Sequence, residues 1–300
     1  MRILLTGATG LIGRQIVKIC EGMDSVELIC AGRRPPAAAP PKTQFVEVDL
    51  LDLDMAEELV RSTLPTHIIN AAWETRPPTY WEDLTNLAWV EVSARLARTF
   101  ADVGGERFVQ VGSCTEYAWD RDTLSERSTP DRPSTRYGMA KLAAFAAIQA
   151  AGHQRFQAVE GRIFYVYGPG EWPMRLVPTI CRAHLLGETP QLGSGRPERD
   201  YLHSADAARA LVALAFDDRL EGVVNVGSGK ATSLASIAEA LAAIGGASVT
   251  GLGQIADRTG ERRTLLADVE RLRSLGWAPQ LDLEQGLRDC FDYWRSVSAD

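Results

Sequence analysis

Residues 1–13 read MRILLTGATGLIG and determine the fold at the N-terminus. An apolar run over residues 3–5 leads into three glycines, Gly7, Gly10 and Gly13, and an amphipathic helical pattern follows over residues 16–20. In a strand–turn–helix unit, such glycines make the turn, let the backbone approach a pyrophosphate and let the helix pack close to the strand. The helix N-terminus then faces the phosphates. The stretch predicts a dinucleotide site; a plain tight turn is the alternative.

The composition places the chain among ordinary globular proteins and excludes several functional classes. Its 300 residues carry a net charge of -7, with no basic cluster interleaved with aromatics, so we expect no nucleic acid partner. No apolar run approaches the roughly 20 residues that span a bilayer. The first strand begins at Arg2 or Ile3, so we expect no signal peptide and a cytoplasmic location. Five scattered cysteines lack metal-site or disulfide spacing, and we expect no metal.

Apolar strands alternate with helical patterns, which predicts an α/β fold with a doubly wound parallel sheet of about seven strands. We expect a Rossmann domain over residues 1–165 and about 199–230. A smaller C-terminal substrate-binding lobe would comprise about 166–198 and 231–300. The predicted strands cover residues 3–5, 26–30, 45–48, 67–70, 108–111, 157–163 and 223–226, and the clearest helices 84–103 and 137–151. The buried face of a last helix is assigned to Leu283, Leu287, Cys290, Phe291 and Trp294.

The end of the second predicted strand indicates which dinucleotide is bound. Enzymes that prefer NAD usually place a carboxylate there to bind the ribose 2′-hydroxyl. Here the strand ends in Arg33 and Arg34, which would pair with a 2′-phosphate, and Arg14 could join them. The alternative is a pair of solvated surface arginines. We predict NADP(H), with NAD(H) possible.

Tyr137 and Lys141 are four residues apart and share one face of a predicted helix. Proton transfer at a carbinol needs a group that both gives and accepts a proton near neutral pH. A neighbouring ammonium, reinforced by an oxidised nicotinamide ring, would stabilise the phenolate and lower the tyrosine pKa. The spacing alone is common by chance, and two ordinary residues of an amphipathic helix would also explain it.

Together with the glycine triplet, further motifs make the chain resemble the extended short-chain dehydrogenase/reductase family, in its nucleotide-sugar epimerase, dehydratase and ketoreductase branch. The resemblance runs nearly end to end. The motifs are residues 6–13, Asp49-Leu50, Asn70-Ala71-Ala72, residues 111–117, Tyr137 with Lys141, Gly161-Arg162 with residues 167–169, and residues 199–206.

The resemblance implies a role for individual residues. Ser113 would hydrogen-bond the substrate oxygen beside Tyr137, and Lys141 would also bind the nicotinamide ribose. Asp49 and Leu50 would contact the adenine. The full set of implied cofactor residues is Gly7, Thr9, Gly10, Leu11, Ile12, Gly13, Arg14, Arg33, Arg34, Asp49, Leu50, Asn70, Ala71, Ala72, Tyr137 and Lys141. The family commonly dimerises through two helices per subunit, which here would be 84–103 and 137–151.

The resemblance also implies a nucleotide-sugar substrate. Arg199, and Arg258 in the stretch Arg258-Thr259-Gly260-Glu261, match arginines that hold the diphosphate of a nucleotide sugar. Structural ion pairs with Asp200 and Glu261 are the alternative. His203 is expected to be structural. Trp73, Tyr165, Ser113, Cys114 and Thr115 are expected to line the substrate pocket, with packing an equal alternative for the tryptophan.

One departure from the family pattern narrows the reaction. Dehydratases of the family carry Asp-Glu directly after the catalytic Ser or Thr, and this chain has Cys114 and Thr115. Dehydration is therefore disfavoured. Because the expected NADP(H) preference favours a reductase, we predict reduction of a keto group, at C4, of a nucleoside-diphosphate keto-deoxysugar. A C4 epimerase with tightly bound NAD(P) is the alternative. A non-catalytic NADP(H)-sensing protein and a reductase of a non-sugar carbonyl are further alternatives.

Overall fold

The structure is a computed structural model that describes residues 1–36, 43–247, 250–257, 260 and 262–298. Strands and helices alternate through the first half of the chain, as the sequence predicts. In chain order the elements are β1 Arg2–Thr6, α1 Gly13–Glu21, β2 Glu27–Gly32, β3 Gln44–Glu47, α2 Leu53–Thr63, β4 His67–Asn70, α3 Thr85–Asp102, β5 Arg107–Ser113, β6 Thr123–Leu124, α4 Arg136–Gly152, β7 Gln157–Ile163, β8 Tyr165–Tyr167, α5 Leu176–Leu185, β9 Glu198–His203, α6 Ser204–Phe216, β10 Gly222–Val226, β11 Ala231–Ser233, α7 Leu234–Gly245, β12 Thr264–Ala267, α8 Glu270–Arg273 and α9 Leu283–Val297.

In this part of the chain, a parallel sheet of seven strands has the order β10-β7-β5-β4-β1-β2-β3. These are the seven strands that the sequence predicts, so the predicted α/β fold is confirmed. Alternate residues of β1 enter separate apolar cores: Ile3 and Leu5 pack on the side of α1 and α6, and Leu4 packs on the side of α2, α3 and α4. The sheet is therefore covered on both faces, which explains its continuous apolar strands.

The order of the strands reverses beside β1, because β2 lies on one side of it and β4 on the other. Such a switch point leaves a crevice at the carboxyl ends of the strands, where ligands bind in open α/β sheets. The loop after β1 begins there with Gly7, whose φ is +71°. A Cβ on Gly7 would lie 2.7 Å from the backbone of Ala71, so only glycine lets the two loops approach.

A smaller sheet and three helices complete the fold. Within the described residues, the strand order is β11-β9-β12-β6, and β8 pairs with β9. Helices α5, α7 and α9 enclose a separate apolar core, to which α9 contributes Leu287, Cys290, Phe291 and Trp294, four of the five residues predicted for its buried face. The division of the chain at residues 165, 199 and 230 stays a prediction, since β9 belongs to the smaller sheet while β10 belongs to the larger one.

Two further features concern the helices and the cysteines. None of the helices over the described ranges combines the length and apolar character needed to cross a bilayer. The cysteines at positions 20, 30, 114, 181 and 290 are all buried free thiols.

Candidate active site

A cleft of about 1280 Å³ runs from the glycine loop of the large sheet to the smaller lobe. The glycine loop, the ends of β4 and β5, the start of α4 and the segment after β8 all contribute to its walls. It is therefore the crevice that the reversal of strand order predicts.

The glycine loop has the geometry of a pyrophosphate cradle. The Gly10 N–H donates to the Gly7 carbonyl over 3.0 Å, and a Cβ on Gly13 would collide with that same carbonyl oxygen. No side chain caps the start of α1, and its first turn carries no acidic residue. Gly10, Leu11, Ile12 and Gly13 line the cleft. These residues fit the diphosphate of a dinucleotide, because the close backbone leaves room for it and the helix terminus favours its charge.

The residues expected to contact the adenosine part of the dinucleotide differ in their exposure to solvent. Arg33 and Arg34 are exposed directly after β2, and Thr9 is exposed in the glycine loop. Asp49 is exposed and accepts a hydrogen bond from the Leu51 N–H, whereas Leu50 is buried.

Arg14 contacts main-chain oxygens at the start of α1 and in the loop after β8. Its guanidinium donates to the carbonyl oxygens of Gly10 and Gly170, each over 3.2 Å, and so joins α1 to the loop after β8. Both contacts are to main-chain oxygens, which accounts for an arginine at this position without a ligand.

Asn70 holds the strand ends together from below the cleft. Its side chain accepts from the Thr6 hydroxyl over 2.6 Å and donates to Gln110 Oε1 over 2.8 Å and to Ser93 Oγ over 3.3 Å. The Thr6 hydroxyl also accepts from the Ala72 N–H. With these contacts Asn70 is only 2 % exposed. Asn70 thus fixes the loop that follows it. Of the predicted cofactor residues Asn70, Ala71 and Ala72, Ala71 lines the cleft.

The structure brings Ser113, Tyr137 and Lys141 together in the wall of the cleft. Ser113 ends β5, and the other two lie one turn apart on α4, which starts where the Thr135 hydroxyl caps the Gly138 N–H. All three residues therefore contribute to the wall of the same cleft.

Lys141 is almost completely buried. Its ammonium donates to the Val111 carbonyl oxygen over 2.7 Å and lies 3.9 Å from the centroid of the Trp73 ring. Burial lowers the pKa of Lys141 to about 8, although the carboxyl groups of Glu116 and Glu160 raise it. Its charge therefore changes within an accessible pH range.

Tyr137 is surrounded by aromatic rings. Tyr80, Trp81 and Trp73 meet its ring edge-on, with centroid distances of 5.1, 5.7 and 6.3 Å. Burial raises the pKa of Tyr137, and Tyr80 and Glu116 raise it further. Among the protein's own groups, burial therefore outweighs the expected lowering by Lys141, whose ammonium is 5.9 Å from the phenol ring. The phenol is held in its protonated form, which suits a proton donor.

Ser113 also begins the 3₁₀ turn Cys114–Glu116. Its hydroxyl accepts from the Thr115 hydroxyl over 2.9 Å, and its N–H donates to Glu116 Oε1 over 2.6 Å. This capping box fixes the backbone at Ser113.

The seven residues predicted to bind substrate have three different outcomes in the structure. Five of them line the cleft, namely Trp73, Ser113, Cys114, Thr115 and Tyr165. Arg199 does not, since it is 2 % exposed and donates to the carbonyl oxygens of Glu198 and Arg263, with its guanidinium 5.5 Å from the centroid of the Tyr165 ring. Asp200 accepts from main-chain N–H groups of Ser228, Gly229 and Ala267. Arg258 lies outside the described residues.

The sequence analysis missed five charged residues that line the cleft, namely Asp120, Arg132, Glu171, Arg175 and Arg262. Arg175 directly precedes α5, with its guanidinium 5.3 Å from the centroid of the Tyr80 ring, and Arg262 donates to Asp122 over 2.9 Å. Glu171 lies in the loop between β8 and α5, and burial raises its pKa to about 8. Arg262 is four residues from the predicted Arg258, which was the available signal. Nothing local marked the other four, because their positions depend on how the lobe folds back.

The chain belongs to the NAD dependent epimerase/dehydratase family, whose model matches residues 3–227. It is 31 % identical over 310 residues to a dTDP-6-deoxy-L-talose 4-dehydrogenase (NAD(P)(+)) of Kitasatospora kifunensis, covering 96 % of this chain and 94 % of the relative. It is 25 % identical to a dTDP-glucose 4,6-dehydratase of Streptomyces niveus, covering 100 % and 94 %. The structure of MoeE5 in complex with UDP-glucose and NAD matches with a TM-score of 0.86 and 27 % identity, covering 100 % of both chains.

These similarities confirm the predicted membership of the extended short-chain dehydrogenase/reductase family, and with it an enzyme with a Rossmann fold. They extend over the smaller lobe as well as the large sheet, because each relative spans nearly the whole chain. The choice among dehydrogenase, dehydratase and epimerase must therefore come from the site.

Proposed function

We propose that this enzyme reduces the C4 keto group of a nucleoside-diphosphate keto-deoxysugar with NADP(H). The main supporting observation is that Ser113, Tyr137 and Lys141 all line one cleft beside the glycine loop. The two positions directly after Ser113 are Cys114 and Thr115, and neither is a carboxylate. The similarity to the Kitasatospora dehydrogenase supports it, because that enzyme's name places its chemistry at C4 of a dTDP-deoxysugar.

The environment of Cys114 argues against dehydration. Elimination of water from a sugar needs an acid and a base next to the catalytic serine. Burial, with the nearby Glu116 and Asp200, raises the pKa of the Cys114 thiol to about 12, so it does not exchange protons near neutrality. Glu116 is fully buried below Ser113 and does not line the cleft. The site thus resembles the dehydratases in fold but lacks their acid–base pair.

Each side chain of the site has a defined role in the proposed reduction. Bound NADPH supplies the hydride. Ser113 donates to the keto oxygen and holds it beside Tyr137, which gives its proton to that oxygen as the alcohol forms. Lys141, one helical turn from the phenol, stabilises the resulting phenolate. The aromatic rings of Tyr80 and Trp81 exclude water around the phenol.

The arginines of the cleft support a diphosphate substrate. Arg175 and Arg262 line its outer part, and guanidinium groups form strong charge-assisted hydrogen bonds with phosphate oxygens. Arg258 stays a candidate on sequence grounds. Arg199 would act indirectly, by supporting Tyr165 from behind.

Preference for NADP(H) is supported by the end of β2. Arg33 and Arg34 are exposed there, and the carboxyl end of β2 carries no carboxylate that could bind a ribose 2′-hydroxyl. The name of the Kitasatospora relative includes both NAD and NADP, so NAD(H) is the alternative cofactor.

A C4 epimerase is the second candidate, since the same three residues can remove a hydride and return it to the other face of the sugar. The likeness to MoeE5, solved with UDP-glucose and NAD, favours it because UDP-glucose carries no keto group to reduce. A non-catalytic NADP(H) sensor is disfavoured by the complete catalytic set.

Absorbance of the reduced nicotinamide distinguishes these functions. Purified enzyme is mixed with NADPH or NADH and a panel of nucleoside-diphosphate 4-keto-6-deoxyhexoses, and the sugars are analysed afterwards. Stoichiometric oxidation of NADPH with one of them supports the reductase. Interconversion of unmodified nucleotide sugars with copurifying NAD(P) and no net oxidation would establish the epimerase instead.

We also propose that the enzyme is a homodimer that pairs through α3 and α4. These helices pack side by side and carry exposed apolar side chains, including Leu87 at 52 % and Met139 at 55 % exposure. Replacing both by aspartate should convert a dimer to a monomer in sedimentation analysis; an unchanged sedimentation coefficient would contradict this interface.

A further inference from the structure

Arg14 joins two loops that contribute to different parts of the cleft. The first is the glycine loop, residues 7–13, which leads from β1 into α1 and lines the cleft on the side of the large sheet. The second, the lobe loop, comprises residues 168–170 and connects two residues of the cleft wall, Tyr167 and Glu171. Arg14 itself is not among the residues that line the cleft. Its contacts with the two loops therefore lie outside the space that a ligand would fill.

Two nitrogens of one guanidinium make the connection. Arg14 Nε donates to the Gly10 carbonyl oxygen and Arg14 Nη2 to the Gly170 carbonyl oxygen, each over 3.2 Å. The Gly10 oxygen also accepts from the Arg14 N–H over 3.1 Å, so this end of the connection is part of the hydrogen-bonded turn that leads into α1. Because the guanidinium is planar and rigid, it holds the two carbonyl oxygens at a fixed separation.

The glycines of the lobe loop fit this arrangement. Gly170 has a φ of +72°, and a Cβ built there would lie 2.0 Å from Arg14 Nη1. A Cβ on Gly168 would lie 2.1 Å from the Ser204 Oγ, at the start of α6. The loop is thus packed between Arg14 and α6, and a side chain at position 170 would displace the guanidinium.

The lobe loop in turn positions the cleft wall that follows it. The Glu171 N–H donates to the Gly168 carbonyl oxygen over 3.1 Å and closes the loop as a turn. Trp172 comes next, and its carbonyl oxygen accepts from the Arg175 N–H over 2.9 Å. The side chains of Glu171, Trp172 and Arg175 all line the cleft. Any displacement of Gly170 therefore reaches three side chains of the smaller lobe that face a bound ligand.

This connection gives the two halves of the cleft a means of influencing each other. A dinucleotide held by the glycine loop restricts the motion of Gly10, and Arg14 extends that restriction to Gly170. A second ligand that binds an already ordered wall loses less conformational entropy, so the two ligands bind more tightly together than separately. Bonds from a charged donor are stronger than neutral ones, which suits them to this task.

We propose that Arg14 is a positioning residue that couples dinucleotide binding at the glycine loop to the binding of the nucleotide sugar at the smaller lobe. It holds the lobe loop against the start of α1, so that the wall carrying Glu171 and Trp172 is ordered once the dinucleotide is bound. The nucleotide sugar as the second ligand rests on the proposed function, whereas the coupling of the two loops does not.

Amide hydrogen exchange tests the coupling of the loops without any sugar. Arg14→Met removes both side-chain donors and keeps an unbranched side chain. In the wild type, saturating NADPH or NADH should slow exchange in residues 7–13 and also in residues 168–175, by about fivefold or more in the second segment. In Arg14→Met the slowing should persist in residues 7–13 and disappear from residues 168–175.

Lys18→Met is the matched control for this experiment. Lys18 lies one turn further along α1 and is exposed, so its replacement removes the same charge from the same helix. Its exchange pattern should match that of the wild type. Cofactor-induced slowing of residues 168–175 that survives in Arg14→Met, or that is absent from the wild type, would overturn the proposal.

Cooperative binding is measured with dTDP-glucose, which has no keto group and so does not consume NADPH. In titration calorimetry, NADPH should raise the affinity of the wild type for dTDP-glucose by about fivefold or more. In Arg14→Met this factor should fall close to one. An unchanged factor would contradict the coupling. A wild type that binds no dTDP-glucose would count against the proposed substrate class, and hydrogen exchange then decides the role of Arg14.

The affinities for the dinucleotide alone separate positioning from direct contact. Because Arg14 holds main-chain oxygens, Arg14→Met should change the affinities for NADPH and NADH by about twofold or less and to the same extent. A selective loss of NADPH binding would instead show that Arg14 contacts the 2′-phosphate. An equal loss of more than about tenfold for both cofactors would show a contact with the diphosphate. Either result would overturn the assignment of Arg14 as a positioning residue.

Discussion

The ammonium of Lys141 lies 3.9 Å from the centroid of the Trp73 ring, on the side of the cleft where Tyr137 presents its phenol. Trp89 stacks on the same indole, with a centroid distance of 6.1 Å. A cation over an aromatic face is stabilised by the ring quadrupole, and more so where water is excluded. Trp73, which was expected to line the substrate pocket, lines the cleft and also contacts the ammonium of Lys141.

The ring of Trp73 should therefore affect the pH profile. Trp73→Phe weakens the cation–π contact and lowers the pKa of Lys141, which is about 8 in the native protein. Because Lys141 is needed in its charged form, the alkaline limb of kcat/KM should move down by about half a pH unit. Trp89→Phe, which alters the stack without touching the ammonium, is the control. Equal shifts in the two variants would contradict a direct role for Trp73.

Tyr137→Phe should remove the proton donor and leave the cofactor site intact. We expect kcat to fall by about 10²–10⁴-fold, the usual contribution of a positioned acid. NADPH affinity, measured by fluorescence, should change little. Tyr293→Phe is a matched control, because this tyrosine lies on α9 and does not line the cleft. Retained turnover in Tyr137→Phe would refute the assigned donor.

The preference for NADP(H) depends on Arg33 and Arg34. Replacing both by alanine removes two charge-assisted contacts to a 2′-phosphate, each worth about 1.5–3 kcal/mol, so kcat/KM for NADPH should fall by at least about 100-fold. The value for NADH should stay within about twofold, since its ribose carries no phosphate. Parallel losses for both cofactors would show that the arginines do not select between them.

Gly13 should tolerate no side chain. A Cβ there would collide with the Gly7 carbonyl oxygen, so Gly13→Ala should cost about 1–3 kcal/mol of unfolding free energy and weaken dinucleotide binding. At Gly22, after α1, the nearest atom to such a Cβ is 3.8 Å away and φ is −80°. Gly22→Ala is therefore the matched control and should be close to neutral. Chemical denaturation and cofactor titration measure both effects.

Local patterns in the sequence were enough to predict the large sheet and to place Tyr137 and Lys141 on one helix. Most strands of the sheet are short apolar runs, and the turn after the first one needs glycine at fixed positions. Tyr137 and Lys141 meet because residues four apart share a helix face. Ser113 was expected from the family resemblance, and it lies at the end of β5, at the same edge of the sheet as the glycine loop.

The tertiary structure alone decided how charged residues distant in the sequence are used. Arg199 and Arg14 bind main-chain carbonyls, whereas Arg175 and Arg262 line the cleft. Glu116, Glu160 and Arg162 share a buried site because β5 and β7 are neighbours in the sheet. The sequence by itself thus determined the strands, the glycine turn and the helix that carries the catalytic pair, because these depend on contacts within a few residues. Charge pairing and burial depend on which strands and lobes meet, and no local pattern encodes that.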